Sequence, residues 1–194
     1  GWLRAMHDRL VSGGRRAIGG RTINAVPCNM PARVHHLLSN KAYWRYETDP
    51  SKILFLIGNN FAIAKQWFEQ EGGYHEDLWL GYEDREFCDR LVRGGYQLIY
   101  APEAVVAHNP ILTLRSFIAQ HAGYGRGAFL YYRRHKGTTK PGERLFFIRT
   151  MRDAAMESRG LEKLWAPLLV ILSQFAAFIG MISAAVCRGK HGTL

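Results

Sequence analysis

Between Trp79 and His108 the chain reads WLGYEDREFCDRLVRGGYQLIYAPEAVVAH, and no other stretch restricts the possible folds as much. Glu83 and Asp84 stand where acids of a first helical turn meet the positive end of the macrodipole. Phe87, Cys88 and Leu91 recur at helical spacing, and Gly94-Gly95 supplies a stop. A helix is therefore expected over Glu83 to Arg93. It should bury Phe87, Leu91 and Cys88 and turn Arg85, Glu86 and Arg93 outward. Tyr96 to Tyr100 and Ala104 to Ala107 read as two short strands parted by Pro102, with His108 at the end of the second. Acids at a helix mouth and an imidazole at a strand end can converge on one site. First-turn acids equally need no catalytic task, and a histidine at a strand end can be purely structural.

Upstream, Leu3, Met6 and Leu10 share one helical face that ends at Gly13-Gly14, and Ala17 to Val26 reads as a strand with a bend at Gly19-Gly20. Residues 27–52 hold three prolines and form a long excursion with a helical piece around Val34 to Tyr46. Ile53 to Ile57 is a continuous apolar run suited to a strand buried on both faces. Gly58-Asn59-Asn60 interrupts it and Phe61 to Ile63 resumes it. A short helix over Lys65 to Glu71 stops at Gly72-Gly73, and an aromatic loop follows from Tyr74 to Tyr82. Thr113 is a fair N-cap for a helix carrying Leu114, Phe117 and Ile118 on one side. Gly123, Gly125 and Gly127 should loosen its far end.

The formal charge of +10 on 194 residues implies an anionic partner such as nucleotide phosphates, lipid or nucleic acid. The charges are scattered, and no nucleic-acid-binding motif accompanies them, so nucleic acid is not expected as a partner. Cys28, Cys88 and Cys187 are far apart and form no CxxC, which fits a reducing compartment. Arg4, His7, Asp8 and Arg9 break up the first apolar residues, so no signal peptide opens the chain. Residues 137–144 read as a polar linker. Leu164 to Val186 is apolar for longer than the ~20 residues a bilayer crossing needs. It reads as a membrane-spanning helix, an interfacial helix, or a helix packed on protein.

The ordered pieces from Gly58 to His108, GNNFAIAKQWFEQEGGYHEDLWLGYEDREFCDRLVRGGYQLIYAPEAVVAH, resemble the C-terminal half of the catalytic domain of inverting family-2 glycosyltransferases. The resemblance implies an α/β fold: a partial GT-A domain, Rossmann-like, with a mixed sheet flanked by helices, followed by a C-terminal hydrophobic helix. The expected division is a transferase portion over residues 1–136, a linker or amphipathic segment over 137–163 and the hydrophobic helix over 164–187. The resemblance also implies roles. Asp84, and Glu83 after it, would supply the general base for an acceptor hydroxyl. His108 resembles a metal ligand for Mn2+ or Mg2+. Gly72, Gly73, Trp79 and Gly81 correspond to an acceptor-side loop, where Trp79 either stacks on a sugar or belongs to the core. Asn59 and Asn60 either bind sugar hydroxyls or cap a turn. Arg126 could meet a diphosphate, whereas Arg133-Arg134 reads better as a solvated basic face.

The implied partners are a nucleotide-sugar donor, a sugar, lipid-linked or other hydroxyl acceptor, and a membrane whose cytoplasmic face holds the enzyme, as in cell-envelope polysaccharide or glycolipid synthesis. Two departures accompany the match. No two aspartates are spaced Asp-x-Asp, the family's donor and metal motif, and the nucleotide-binding half is missing, so the chain is expected to be part of a longer protein. Gln120 is followed by His121-Ala122-Gly123-Tyr124 rather than the processive Gln-x-x-Arg-Trp, which implies single additions. The competing readings are a basic membrane-surface or nucleic-acid-binding module without catalysis, and a degenerate transferase domain.

Overall fold

The computed structural model describes residues 1–48, 53, 55–78, 81–135 and 143–189. They form two compact units. The first comprises Gly1–Ala25, Asn40–Glu76 and Glu83–Asn109; the second comprises Val26–Ser39, Asp77–Tyr82 and Pro110–Leu194.

The first unit is built on a three-stranded mixed sheet in the order β2-β1-β3, with β1 Arg16–Asn24, β2 Phe61–Ile63 and β3 Gln97–His108. The central strand β1 runs antiparallel to β2 and parallel to β3. Its side chains alternate between two apolar layers, as the period of a strand requires. Ala17 faces a core of Leu56, Phe87, Cys88, Leu91 and Tyr96. Ile18 faces the opposite layer, with Met6, Ala101 and Ala104. Helix α1, Trp2–Val11, covers that second layer through Met6, while Leu3 stays exposed. Helices α3, Lys65–Gln70, and α4, Glu83–Arg93, belong to the first layer.

Two sequence expectations change here. The two strands expected within Tyr96 to Ala107 are one, Gln97–His108. The register with β1 jumps from Gly20↔Ala101 to Arg21↔Val105, so Pro102, Glu103 and Ala104 form a bulge inside β3. A bulge is where a strand tolerates proline, because no ladder bond is asked of its nitrogen. The buried strand expected at Ile53 to Ile57 is absent among the described residues 53 and 55–57. Leu56 is buried, but it crosses over β1, where a Cβ on Gly19 would lie 2.6 Å from its Cδ2. Its backbone is served by a side chain instead of a neighbouring strand. Leu56 N donates to Cys88 Sγ at 3.3 Å, and Cys88 Sγ donates to Leu56 O at 3.8 Å.

The second unit is helical. Its parts include the first turns of α2, Met30–Thr48, then α5, Leu114–Arg134, α6, Glu143–Met156, and α7, Glu162–Gly189. Asn29 caps α2 by accepting from Ala32 N at 2.8 Å, and its Nδ2 donates to Leu112 O. Thr113 caps α5 as expected, in a reciprocal box with Ser116. Phe117 is buried and Leu114 is exposed. A core of Val34, Phe117, Ala154, Ala166, Leu169 and Val170 joins the four helices. The glycines expected to loosen α5 do the reverse. A Cβ on Gly125 would overlap the Ala177 carbonyl of α7, and one on Gly180 of α7 would overlap the Ala122 carbonyl of α5. Missing side chains let these two backbones touch.

Gly20 carries the tightest constraint in the sheet, since a Cβ there would overlap both Ala104 O and the Asn60 amide. Gly20→Ala should destabilise the fold by about 3 kcal/mol or more, as overpacking against backbone does. Gly14→Ala meets no atom within 4 Å but has φ +74, so it should lose only about 1 kcal/mol. Thermal or urea denaturation of the two variants tests the ranking.

Candidate functional site

The site grows from the 3₁₀ turn Gly58–Asn60, which precedes β2. Asn60 is buried and fully engaged. Its Nδ2 donates to Arg21 O and to Ala104 O, both at 2.9 Å, and its Oδ1 accepts from Trp2 Nε1 at 2.9 Å. Both amide protons are spent on the β3 bulge and on β1, so of the two expected roles this geometry favours holding the turn over binding a sugar. Asn59 is exposed, and its Oδ1 accepts from Thr22 Oγ1 at 3.0 Å.

Gly58 points its N–H at the mouth of α4. Asp84 Oδ2 accepts from Gly58 N at 3.2 Å, and Asp84 Oδ1 accepts from Arg85 N at 2.7 Å. Each carboxylate oxygen thus has one bond from backbone and keeps acceptor capacity. Burial raises the Asp84 carboxyl above its usual range, while the Gly58 and Arg85 N–H groups and the Arg85 charge oppose the rise. Glu83 is raised as well, first by burial and then by the charge of Asp84. Its Oε2 is buried without a hydrogen-bond partner among the described residues.

Tyr74 faces the same acids. Its hydroxyl is 3.8 Å from where a Gly58 Cβ would stand. Burial, then the negative charges of Asp84 and Glu83, raise its pKa far above that of a free tyrosine, so it is a hydroxyl at every working pH. Burial likewise pushes the Cys88 thiol up to about 12, which keeps it a neutral bridge to Leu56. Neither residue was singled out from the sequence. The available signal was Cys88 lying one helical turn after Asp84 and Tyr74 lying directly after Gly72-Gly73.

Glu86 overturns another expectation. It is 2% exposed rather than turned outward, and both its oxygens accept from Arg90 Nε at 2.9 Å. His75 Nε2 lies 3.5 Å from the same carboxylate. Arg90 in turn donates to Glu71 O and Gly73 O. Gly73 has φ +64, and a Cβ on it would press on Phe68 at 3.1 Å. Gly73 is therefore a backbone turn tied down from α4, with its carbonyl already occupied.

His108 ends β3 opposite Asn24, half-buried, and its carbonyl accepts from Ala25 N at 2.8 Å. Among the described residues no group of three His, Cys, Asp or Glu side chains could hold a metal ion. This donor set does not by itself fit a Mn2+ or Mg2+ centre. Trp79 lies outside the described residues. Gly81 and Arg126 belong to the second unit. Gly81 has φ +134 and lies against Tyr124 and Gly127 of α5, and Arg126 is exposed on that helix. Arg134 pairs with Asp77 in the same unit.

The chain matches the model of the family described as glycosyl transferase family group 2 over residues 29–187. It belongs to that family. It is 41% identical over 145 residues to a pre-mycofactocin glycosyltransferase of Mycobacterium tuberculosis, covering 73% of this chain and 31% of that protein. It is 28% identical over 100 residues to the N-acetylglucosaminyl-diphospho-decaprenol L-rhamnosyltransferase of the same organism, covering 50% of this chain and 33% of that protein. The chain therefore spans about a third of the length of these curated relatives. No solved structure gives a significant match. The mixed sheet flanked by helices, with an apolar helix after it, agrees with the GT-A-like α/β fold that this membership implies.

A raised carboxyl gives stability a defined pH dependence. With its folded pKa above the unfolded one, Glu83 binds more protons in the folded state, so its stabilisation is full below the unfolded pKa and is lost as pH rises through the folded pKa. Glu83→Gln should therefore melt higher than wild type at pH 7 and converge with it as pH falls below the ordinary carboxylate range. Melting curves from pH 4 to pH 8 would show the gap close, and a gap independent of pH would contradict the assignment.

Proposed function

We propose that this chain is the acceptor-side part of a glycosyltransferase that moves a sugar from a nucleotide-sugar donor to an acceptor hydroxyl with inversion. The observation that carries the reading is Asp84: partly buried, raised in pKa, and oriented by two backbone N–H groups at the mouth of α4. A base must lie within reach of the proton it takes and have a pKa near the working pH, and desolvation moves a carboxylate that way. Asp84 takes the proton of the acceptor hydroxyl as that oxygen bonds to the anomeric carbon of the donor. The nucleoside diphosphate leaves from the opposite face with the bonding electrons, and the Asp84 proton then passes to water. Positioning accounts for most of the acceleration in such a direct displacement. The Asp84 carboxylate draws the hydroxyl into line, and Tyr74, held as a neutral hydroxyl beside it, offers a hydrogen bond without adding charge.

Several finer points belong to the same proposal. Single additions rather than polymerisation are part of this reading, supported by Gln120 being followed by His121-Ala122-Gly123-Tyr124 in place of Gln-x-x-Arg-Trp. A divalent ion would neutralise the leaving diphosphate. His108 would be one of its ligands, with the remaining ligands drawn from outside the described residues. Asn59, exposed next to Gly58, and Arg126, exposed on α5, are the polar groups proposed for substrate contact. A lipid-linked acceptor at the cytoplasmic face of a membrane is supported by the apolar length of α7 and by the decaprenol-linked substrate in the name of one relative.

The test is release of nucleoside diphosphate by the full-length protein, across a panel of sugar nucleotides with Mn2+ or Mg2+. Asp84→Asn should lower turnover by about 10³-fold while the protein stays folded, the size expected for loss of a general base. Turnover that survives in Asp84→Asn and is lost in Glu83→Gln would move the base to Glu83. Absence of turnover with every donor would favour a degenerate domain.

A further inference from the structure

Helix α7 has its polarity inside out. From Leu164 to Cys187 every exposed residue is apolar, among them Leu164, Trp165, Ile171, Phe175, Phe178 and Ile182. No polar residue of this stretch is exposed: Gln174 and Ser183 are half-buried, and Ser173 is buried with its Oγ donating to Val170 O at 2.7 Å. The core helix of a soluble protein has the opposite arrangement, and only 28% of the apolar window of α7 is buried within the protein. Such a face requires an apolar cover along its whole length. The span Glu162–Cys187 contains 26 residues, about 39 Å of helix at 1.5 Å per residue, so length alone permits a bilayer crossing.

The packing of the second unit argues against a crossing. Helix α5 is locked to α7 where Gly125 meets Ala177 and Ala122 meets Gly180. Ala177 lies near the middle of the apolar span. Arg126, the residue after Gly125, is exposed at that level. A crossing α7 would carry Arg126 to the depth of the hydrocarbon, where an arginine is strongly disfavoured. Arg115 and Arg133 are also exposed on α5. The two helices can satisfy their surroundings together if α7 faces lipid along its side while α5 faces water. Lys163 at the start of α7 and Arg159 in the turn before it are exposed cations at one end of the apolar stretch. That charge complements anionic headgroups.

We propose that α7 lies in the plane of one leaflet of an anionic phospholipid bilayer, docked on α5, and does not cross it. The inference rests on the membrane-associated transferase reading and assigns how that enzyme meets its membrane.

The test uses the full-length protein in sealed vesicles of known orientation, with every exposed cysteine other than the one being probed replaced by Ser. Native Cys187 is exposed near one end of α7. Lys163→Cys marks the other end, and Arg126→Cys marks the helix locked to its middle. Each single-cysteine form is treated with a membrane-impermeant maleimide from one side and then from the other. The expected result is that all three label from the same side, with Arg126→Cys reacting as fully as the two ends. Labelling of Lys163→Cys and Cys187 from opposite sides would overturn the proposal, as would protection of Arg126→Cys. Recovery of the protein free of vesicles would overturn it too, by pointing to a protein cover. None of these readouts requires sugar transfer, so an inactive enzyme with same-side labelling would sink the transferase reading and leave the in-plane helix standing.

Discussion

A single amide holds the first unit together. Asn60, itself buried, accepts from Trp2 of α1 and donates to Arg21 of β1 and Ala104 of the β3 bulge. Three elements distant in sequence therefore share one side chain. An unsatisfied amide or carbonyl in such a place costs about 1–3 kcal/mol, so the arrangement is strongly specified once formed. It also dictates Gly20, because only a residue without Cβ lets the amide reach both carbonyls. Fixing Asn60 fixes the 3₁₀ turn, and the turn aims Gly58 N at Asp84. Sheet geometry is thereby transmitted to the candidate base through two residues.

A second clamp acts from the helix side. Buried Glu86 orients Arg90, and Arg90 holds the carbonyls of Glu71 and Gly73. The charge pair is a costly thing to bury, and taking away one member of such a pair is far worse than replacing both. Here its geometric effect is plain. The glycine turn that follows α3 is tied to the helix that bears the acids, and Tyr74, the next residue, is delivered towards Asp84. Asp84, Tyr74 and Gly58 thus come from three separate segments, each anchored by a neighbour that does not touch the acids.

The limits of α4, its apolar face, the capped start of α5 and the strand at β1 were legible because each depends on local rules: periodicity, caps and glycine stops. What the sequence hid depends on contacts between segments. Ile53 to Ile57 has the composition of a buried strand, but the Leu56 backbone bonds to Cys88, and no local pattern announces a thiol 32 residues away. Glu86 looks like a solvent-facing acid until Arg90 is seen to neutralise it, although their four-residue spacing was visible. The glycines of α5 read as breakers because a breaker and a close-packing glycine look alike in one dimension. Only the opposing carbonyl of Ala177 tells them apart. Among the proposed site residues, Asn60 shows the same ambiguity, since an amide that caps a turn and one that binds a sugar have the same sequence signature.

The preference for Asp84 over Glu83 as base follows from geometry ahead of acidity. Both carboxyls are raised by burial, so pKa alone does not separate them. Asp84 is held by N–H groups on both oxygens, which fixes the plane of the carboxylate and leaves defined lone-pair directions for an incoming hydroxyl. Glu83 has a longer side chain and a buried oxygen with no hydrogen-bond partner among the described residues, so nothing described here aims that oxygen. Burial and then the charge of Asp84 raise Glu83, whereas burial is what raises Asp84 itself. The helix N-terminus works against both shifts, and burial outweighs it at Asp84. Held carboxylate geometry, more than acidity, is therefore what favours Asp84 over Glu83 as the proposed base.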